Sequence, residues 1–299
     1  MTSGREALRR RTQLFVPANK PAFLPTAAAS GADAVVLDLE DSVPVAARAG
    51  ARAALPSAVA ALPGRPVLVR VNSDDDLARD VEAAVLAGAS GVLVPKVEDP
   101  EHVRLVEDLV CRSERAREVP GPTVEVQLLV ETPRGLLCIA EIAGAGSRTT
   151  ALALGTEDLA AELEIDPTWE EFDVRWAHGL VVCAARAHGL APYGLLRSLA
   201  NYRDLPALAS DGRAARGFGY VGALCIHPAQ VPVLAEAFSP SVAEVAHAQR
   251  VLEALALGER EGTAAVSVDG RMVDTPMAAR ARRLLARAGH GTGGDPSAP

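Results

Sequence analysis

An α/β barrel of eight parallel strands, a (β/α)8 TIM barrel with a C-terminal helical lid extension, is the fold class that this sequence predicts. The chain has 299 residues, which suits one large barrel or two ordinary domains better than one average domain. Eight short apolar runs alternate with longer segments of helical periodicity, as successive βα units do. After residue 239 this alternation stops, and this change predicts the extension.

The eight apolar runs are too short for helices. Most are apolar on both faces, as the strands of a parallel sheet covered by helices are. In chain order the runs are 13–18, 34–40, 67–72, 91–96, 124–132, 151–158, a weak one at 190–194, and 222–228. The segments between them, such as 74–89 and 99–116, carry apolar residues at three- and four-residue spacing with acidic residues near their starts. A doubly wound sheet is the alternative, but the first run lacks a G-x-G-x-x-G turn.

Three regions are predicted along the chain: a barrel domain over 10–239, a helical extension over 240–288 and a disordered tail over 289–299. The extension opens with Ser241 as the predicted cap of a helix with a regularly spaced apolar face. A short extended piece with a turn and then a final helix complete it.

Composition and charge exclude several classes of protein. The chain has 30 basic and 38 acidic residues, and a net charge of −8 argues against a nucleic-acid scaffold. The apolar fraction of 49% excludes wholesale disorder, and no apolar run reaches the roughly 18 residues of a membrane span. Four scattered cysteines indicate reduced, buried thiols. We therefore expect a cytoplasmic protein with no nucleic-acid or membrane partner.

Ionisable side chains follow six of the predicted strands, at the barrel edge where such folds place their active sites. They include Asp38, Glu40, Asp41, Arg70, Lys96, Glu131, Glu157, Asp158 and His227. Glu131 and Asp158 follow neighbouring strands, and Mg²⁺ prefers one or two carboxylates completed by water and substrate oxygens. These two residues are therefore the predicted metal ligands. The alternative is that they simply form ion pairs with the cations of the same edge.

Cations around the first strand and after the third predict anion binding. Arg10, Arg11 and Lys20 would hold a phosphorylated handle of a substrate, or else form a solvated charge cluster. Arg70 suits a carboxylate or an oxyanion, because its planar guanidinium can donate two parallel hydrogen bonds.

These residues also carry a family resemblance. The motifs are LFVPANKP, GADAVVLDLEDSV, VRVN, GVLVPKVE, ETPRGLL, LGTEDLAAEL, IHPAQV and VDGRMVDTP. In this order, from about residue 10 to 288, they resemble the citrate lyase β-subunit-like branch of the HpcH/HpaI aldolase superfamily. The resemblance implies a TIM barrel that binds Mg²⁺ and cleaves or forms a carbon–carbon bond next to a thioester.

The resemblance also implies a role for each motif residue. Glu131 and Asp158 would bind the metal, and Arg70 would contact the substrate carboxylate and the enolate oxygen. Asp274 would reach a neighbouring subunit's active site from the lid and act there as general acid/base. The other implied substrate contacts are Glu131 itself, Arg11, Thr12, Phe15 and Lys20 of the opening motif, whose basic residues hold coenzyme A phosphates, and Asp38, Glu40, Asp41 and Lys96 at the pocket wall.

The implied reaction cleaves a 3-hydroxy-3-carboxyl acyl thioester, such as malyl-, citramalyl- or citryl-CoA, into a 2-oxo acid and an acyl thioester. The same enzyme could also catalyse the reverse reaction and form the carbon–carbon bond. Two alternatives remain open: hydrolysis of a malyl-type CoA thioester, and a citrate lyase subunit that acts on an acyl-carrier-protein thioester. A lid residue acting in trans implies a homo-oligomer, a trimer or a hexamer. Ala18 replaces the usual glycine, and 190–208 lacks the usual acidic residue, so the acyl substrate stays undefined.

Overall fold

The computed structural model describes residues 6–118, 123–165, 174–197, 203–260, 262–263 and 265–289. The chain divides into two compact units, Met1–Phe238 and Ser239–Pro299. Each unit has a hydrophobic core of its own.

Eight parallel strands form the sheet of the first unit. They are β1 (Thr12–Pro17), β2 (Ala34–Asp38), β3 (Val67–Arg70), β4 (Gly91–Val94), β5 (Glu125–Val130), β6 (Thr149–Leu154), β7 (Ala191–Tyr193) and β8 (Ala223–Cys225). Their order is β7-β6-β5-β4-β3-β2-β1-β8, so each strand pairs with its neighbours in the chain and β1 pairs with β8. A parallel bridge between Tyr193 and Gly222 joins the two outer strands. The sheet therefore closes, and the predicted barrel is confirmed.

Helices follow the strands as the periodicity predicts. They are α1 (Leu24–Ala29), α2 (Arg48–Ala60), α3 (Leu77–Leu86), α4 (Pro100–Ala116), α5 (Pro133–Leu137), α6 (Ile139–Gly144), α7 (Thr156–Glu162), α8 (Arg175–Ala187), α9 (Leu205–Phe218) and α10 (Gln230–Phe238). The segments 74–89 and 99–116 contain α3 and α4, so both predicted helices are confirmed. Asp99 caps α4, since its side chain accepts a hydrogen bond from the His102 backbone N–H at 2.9 Å.

Apolar side chains pack on both faces of the barrel strands, in an outer and an inner layer. The larger lies between the strands and the helices and includes Val35 and Leu37 of β2. The smaller takes alternate residues, such as Val36 and Leu68, together with small side chains of β6, and fills the barrel interior. This alternation directs Asp38 and Arg70, two residues further along the same strands, into the barrel mouth.

The second unit contains α11 (Val242–Arg260), the antiparallel pair β9 (Val266–Val268) and β10 (Arg271–Val273), and α12 (Thr275–Ala288). Ser241 and Glu244 form a reciprocal capping box at the start of α11: the Ser241 backbone N–H donates to Glu244 Oε2 at 2.8 Å, and the Glu244 backbone N–H donates to Ser241 Oγ at 3.2 Å. The predicted serine cap is thus confirmed. From residue 290 onward, the predicted tail lies outside the described residues.

The four cysteines are free, as predicted, but they differ in burial. Cys225 is buried, whereas Cys183 is exposed and Cys111 and Cys138 are partly exposed. The expectation that all four are buried is therefore wrong, because Cys183 lies on the solvent side of α8. Over the described parts of the chain, every helix is too short or too polar to cross a membrane.

Candidate active site

Glu131 stands at the barrel mouth directly after β5. Only 2% of its surface is exposed. The next residue, Thr132, caps α5, because its hydroxyl accepts a hydrogen bond from the Gly135 backbone N–H at 3.0 Å. A buried strand on one side and a capped helix on the other therefore fix the backbone of Glu131.

Asp158 lies across from Glu131, in the first turn of α7 after β6. The pairing of β5 with β6 brings Val130 opposite Leu154, so the two strands end side by side. Both carboxylates line one cavity. The sequence-based expectation that they share a site is consistent with this geometry.

Two unfavourable effects act on the carboxyl group of Glu131. The larger effect is burial, and the smaller is the negative charge of Asp158 and Glu40. Together they raise the pKa of Glu131 from 4.5 to about 8. The Lys96 backbone N–H, which donates to Glu131 Oε1 at 3.0 Å, acts in the opposite direction. Within the described ranges neither Glu131 nor Asp158 takes part in an ion pair, so the alternative of simple pairing with the cations of this edge is not what the structure shows.

Five residues at the ends of β2, β3 and β4 form what we call the arginine cluster: Asp38, Glu40, Asp41, Arg70 and Lys96. Asp38 holds Arg70 with two hydrogen bonds, from Nε to Oδ1 at 2.6 Å and from Nη2 to Oδ2 at 2.7 Å. Arg70 Nη1 lies 2.9 Å from Asp41 Oδ2 and 3.0 Å from Glu40 Oε2. Lys96 Nζ donates to Glu40 Oε1 at 2.7 Å.

The cluster keeps Asp38 and Arg70 charged. Burial alone would raise the pKa of Asp38, but hydrogen bonds from Arg70 and Ser42 outweigh it and lower that pKa. Burial would lower the pKa of Arg70, but the three carboxylates raise it. Burial also raises the pKa of Glu40, although Arg70 and Lys96 oppose this. Arg70 therefore stays cationic in a mostly buried position.

The cavity at the barrel mouth has a volume of about 130 Å³. Its wall includes Phe15, Arg70, Leu129, Glu131, Leu154, Gly155, Asp158, Tyr193, Leu195 and Arg197. The Phe15 ring lies under Arg70, with 4.8 Å between the guanidinium carbon and the ring centroid. A second cavity of about 400 Å³ lies beside the arginine cluster and is lined by Asn72, Arg48 and Lys96 among others. Three acidic residues (Glu131, Glu157 and Asp158) and two arginines (Arg70 and Arg197) line the first cavity together with apolar side chains, which suits a small anionic acyl group.

Gly155, Tyr193, Leu195 and Arg197 are wall residues that the sequence reasoning did not select. The glycine is positioned by its backbone N–H, which donates to the Val130 carbonyl at 3.0 Å. The other three follow or end β7, which has only three residues and carries no cluster of polar side chains. For Gly155, the sequence offers one indication of a role in the site: a glycine stands directly between a strand and the T-E-D segment.

The opening cations lie at two different ends of the barrel. Arg10 and Arg11 precede β1, at the amino edge: Arg10 is 6% exposed and forms an ion pair with Glu125, and Arg11 binds Asp33 with 3.0 Å between Nη2 and Oδ1. Lys20 follows β1 and is exposed. The expectation that all three cations gather at the mouth of the first strand is therefore corrected: the structure brings Lys20 to that edge, but Arg10 and Arg11 lie at the opposite one.

Asp274 belongs to the second unit. It caps α12, where its side chain accepts a hydrogen bond from the Met277 backbone N–H at 3.4 Å. The carboxylate is partly exposed.

The donor set of the barrel mouth fits Mg²⁺. The described residues contain no group of three or more histidine, cysteine, aspartate or glutamate side chains that could enclose a metal. Mg²⁺ does not need such a group, because it commonly takes one or two carboxylates and keeps water or substrate oxygens as its other ligands. A cation held by these two carboxylates would also offset the charge of Asp158, which together with burial raises the pKa of Glu131.

Comparison with known proteins shows the family. The family model "HpcH/HpaI aldolase/citrate lyase" matches residues 11–228. The chain belongs to this family. Citrate lyase subunit beta of Escherichia coli (strain K12) is 34% identical over 290 residues, 95% of each chain. A (3S)-malyl-CoA thioesterase of Cereibacter sphaeroides is 35% identical over 284 residues, which cover 93% of this chain and 94% of the relative.

Solved structures of the same family share the fold. A structure of protein CitE from Mycobacterium tuberculosis in complex with magnesium, acetoacetate and coenzyme A has a TM-score of 0.76 at 33% identity, over 94% of this chain and 98% of the other. The citrate lyase beta subunit of M. tuberculosis complexed with oxaloacetate and magnesium has a TM-score of 0.62 at 32% identity, over 78% of this chain and 99% of the other.

Proposed function

We propose that this protein is a Mg²⁺-dependent carbon–carbon lyase that cleaves or forms a 3-hydroxy-3-carboxyl acyl thioester of the malyl-, citramalyl- or citryl-CoA type. The observation that carries the proposal is the pair of Glu131 and Asp158 in one small cavity with Arg70. Two solved structures from the same family support it, since one holds magnesium, acetoacetate and coenzyme A and the other holds magnesium and oxaloacetate.

Glu131 and Asp158 would hold Mg²⁺, which supplies Lewis acidity toward the substrate oxygens when bound. Arg70 would orient the substrate carboxylate and stabilise the negative charge that develops on the enolate oxygen. Three of its five N–H groups donate hydrogen bonds within the arginine cluster, one each from Nε, Nη1 and Nη2, and Nη1 also lies 3.0 Å from Glu40 Oε2. The second hydrogen of Nη2 would therefore be the one that donates to the substrate. Phe15, Leu129 and Leu154 exclude water from the acyl group.

Asp274 would serve as the general acid that protonates the enolate carbon, from the lid of a neighbouring subunit. The proposed assembly is accordingly a homo-oligomer, a trimer or a hexamer. The cavity of about 130 Å³ takes an acyl group but not coenzyme A, which must therefore extend outside it. The proposed contacts of the substrate outside this cavity are Lys20, which is exposed on the same edge of the barrel, and the members of the arginine cluster.

The test is the substitution Asp158→Ala. We expect it to remove both Mg²⁺ dependence and carbon–carbon chemistry in a folded protein, whereas Glu162→Ala, an exposed residue of the same helix α7, should change neither. Circular dichroism checks the fold. Full activity of the Asp158 variant would contradict the proposal.

Thioester hydrolysis is the second candidate, and the (3S)-malyl-CoA thioesterase relative favours it. A screen of malyl-, citramalyl- and citryl-thioesters with Mg²⁺ separates the two, if 2-oxo acid and free thiol are followed independently. A lyase releases the 2-oxo acid, whereas a thioesterase releases free thiol without it. Activity of the isolated chain on free CoA thioesters would exclude a role confined to a multi-subunit complex acting on an acyl carrier protein.

A further inference from the structure

Lys96 has an unusual backbone conformation for its place in the barrel. Its φ angle is 52°, in the left-handed region that side chains other than glycine rarely adopt. Among the described residues, three other non-glycine positions share this region, and they follow a helix end or lie in a hairpin turn, where it is common: Glu118, Glu164 and Asp269. Lys96 instead lies just after β4, beside the candidate active site.

The backbone and the side chain of Lys96 reach two different carboxylates. Its N–H donates to Glu131 Oε1 at 3.0 Å, and its Nζ donates to Glu40 Oε1 at 2.7 Å. Glu40 in turn lies 3.0 Å from Arg70. Lys96 is thus the residue through which the arginine cluster is joined to the proposed metal-binding carboxylate.

We propose that Lys96 is a positioning residue for Glu131. Its left-handed conformation directs the N–H at Oε1 and so fixes the rotation of the carboxylate, with Oε2 lying against Gly155. The ion pair with Glu40 holds Lys96 in that conformation, since strained backbone persists only where the surroundings stabilise it. The inference rests on the proposed function, in which Glu131 is a metal ligand.

A positioning role and a direct electrostatic role predict different results for two variants that both lack the ammonium group. Lys96→Gly keeps the N–H and adopts positive φ without strain, because glycine has no Cβ. Lys96→Ala also keeps the N–H, but alanine is strained at positive φ and lacks the ion pair that holds this conformation. We therefore expect the backbone to relax and the N–H to turn away from Glu131. If Lys96 acted only through its charge, both variants would change Mn²⁺ affinity by the same factor, because both lack the ammonium group.

The experiment is a Mn²⁺ titration of the full-length protein without substrate, followed by electron paramagnetic resonance, with Mg²⁺ as competitor. We expect Lys96→Ala to bind Mn²⁺ about tenfold more weakly than wild type, a loss of about 1.4 kcal/mol, and Lys96→Gly to stay within about twofold of wild type. Lys96→Arg, which keeps a cation for Glu40, should resemble wild type. Equal losses in the alanine and glycine variants would overturn the proposal.

A matched pair controls for strain away from the site. Glu118 is exposed, has a φ of 56° and lies two residues after the end of α4. Glu118→Ala should lower the melting temperature relative to Glu118→Gly, and neither variant should change Mn²⁺ affinity. A change in Mn²⁺ affinity would show that strain far from the site also affects metal binding, and it would count against the proposal. If the wild-type protein binds no Mn²⁺, the proposed metal site is wrong. If wild type binds Mn²⁺ and the alanine and glycine variants of Lys96 have equal Mn²⁺ affinities, only the positioning role is wrong.

Discussion

Glu131 and Gly155 approach each other so closely that a Cβ atom at Gly155 would lie 2.3 Å from Glu131 Oε2. No real Cβ contact is that short, so any side chain at residue 155 must displace the carboxylate or the end of β6. The absence of a side chain at Gly155 therefore determines where Glu131 can stand.

Gly155→Ala tests this relationship. We expect the Mn²⁺ or Mg²⁺ dissociation constant to rise about tenfold or more, because the displaced Glu131 carboxylate would no longer face Asp158. Gly179→Ala in α8 is the control, since a Cβ at that position meets no atom within 4 Å, and it should leave metal affinity unchanged. Isothermal titration calorimetry measures both. Unchanged affinity in a folded Gly155 variant would show that the carboxylate has room to move.

The raised pKa of Glu131 makes the stability of the metal-free protein depend on pH. The folded-state pKa of about 8 lies above the ordinary 4.5, so between these values the folded protein binds more protons than the unfolded chain. The free energy of unfolding therefore falls as the pH rises through this window. Glu131→Gln removes the ionisation, and we expect a melting temperature about 2–6 °C above that of wild type at pH 8, with little difference at pH 5.

Differential scanning calorimetry in the presence of a chelator measures this dependence. Glu141→Gln, on an exposed residue of α6, is the matched control and should show no pH-dependent gain. An equal gain for Glu131→Gln at both pH values would contradict the assignment. Added Mg²⁺ should stabilise wild type more than the variant at pH 8, because only the carboxylate binds the ion well.

Asp41 occupies the outer side of Arg70 and is the most exposed member of the arginine cluster, with 53% of its side chain accessible. Its carboxylate lies 2.9 Å from Nη1, where a substrate carboxylate could bind instead. We expect Asp41→Asn to lower KM for the thioester about two- to fivefold with little change in kcat, the range that an exposed ion pair accounts for. Steady-state kinetics checks it.

Asp74 provides the control for this prediction, because it forms a similarly exposed ion pair with Arg48, at 2.7 Å. Asp74→Asn should leave KM unaltered. A higher KM in the Asp41 variant would mean that this carboxylate helps to hold Arg70 in place and does not compete with substrate.

Asp274→Asn separates the chemical role proposed for Asp274 from its role as a helix cap. Asparagine caps helices about as well as aspartate, so α12 should remain stable. We expect kcat for carbon–carbon chemistry to fall about 100-fold while Mn²⁺ binding stays intact. Unchanged turnover would reject the acid/base role. If the residue acts in a neighbouring subunit, mixed oligomers of Asp274→Asn and Asp158→Ala chains should regain activity that neither variant has alone.

Strand positions were predictable because their signals are local. Short apolar runs bounded by polar residues indicated all eight barrel strands, including β7 with its three residues. The same local signal misled for Arg10 and Arg11, which are close to Lys20 in the chain. The six residues of β1 separate the two groups by about 20 Å, so they lie at opposite edges of the barrel.

The sequence by itself determined which charged residues end the strands and therefore meet at one edge of the barrel. Only the tertiary structure decided how those charges pair. The register of β2 and β3 sets Asp38 directly opposite Arg70, whereas Glu131 and Asp158 form no ion pair with any residue that the structure describes. Strand register, burial and the approach of Gly155 depend on contacts between residues distant in the chain. These contacts keep Arg70 charged beside its carboxylates and raise the pKa of Glu131 to about 8.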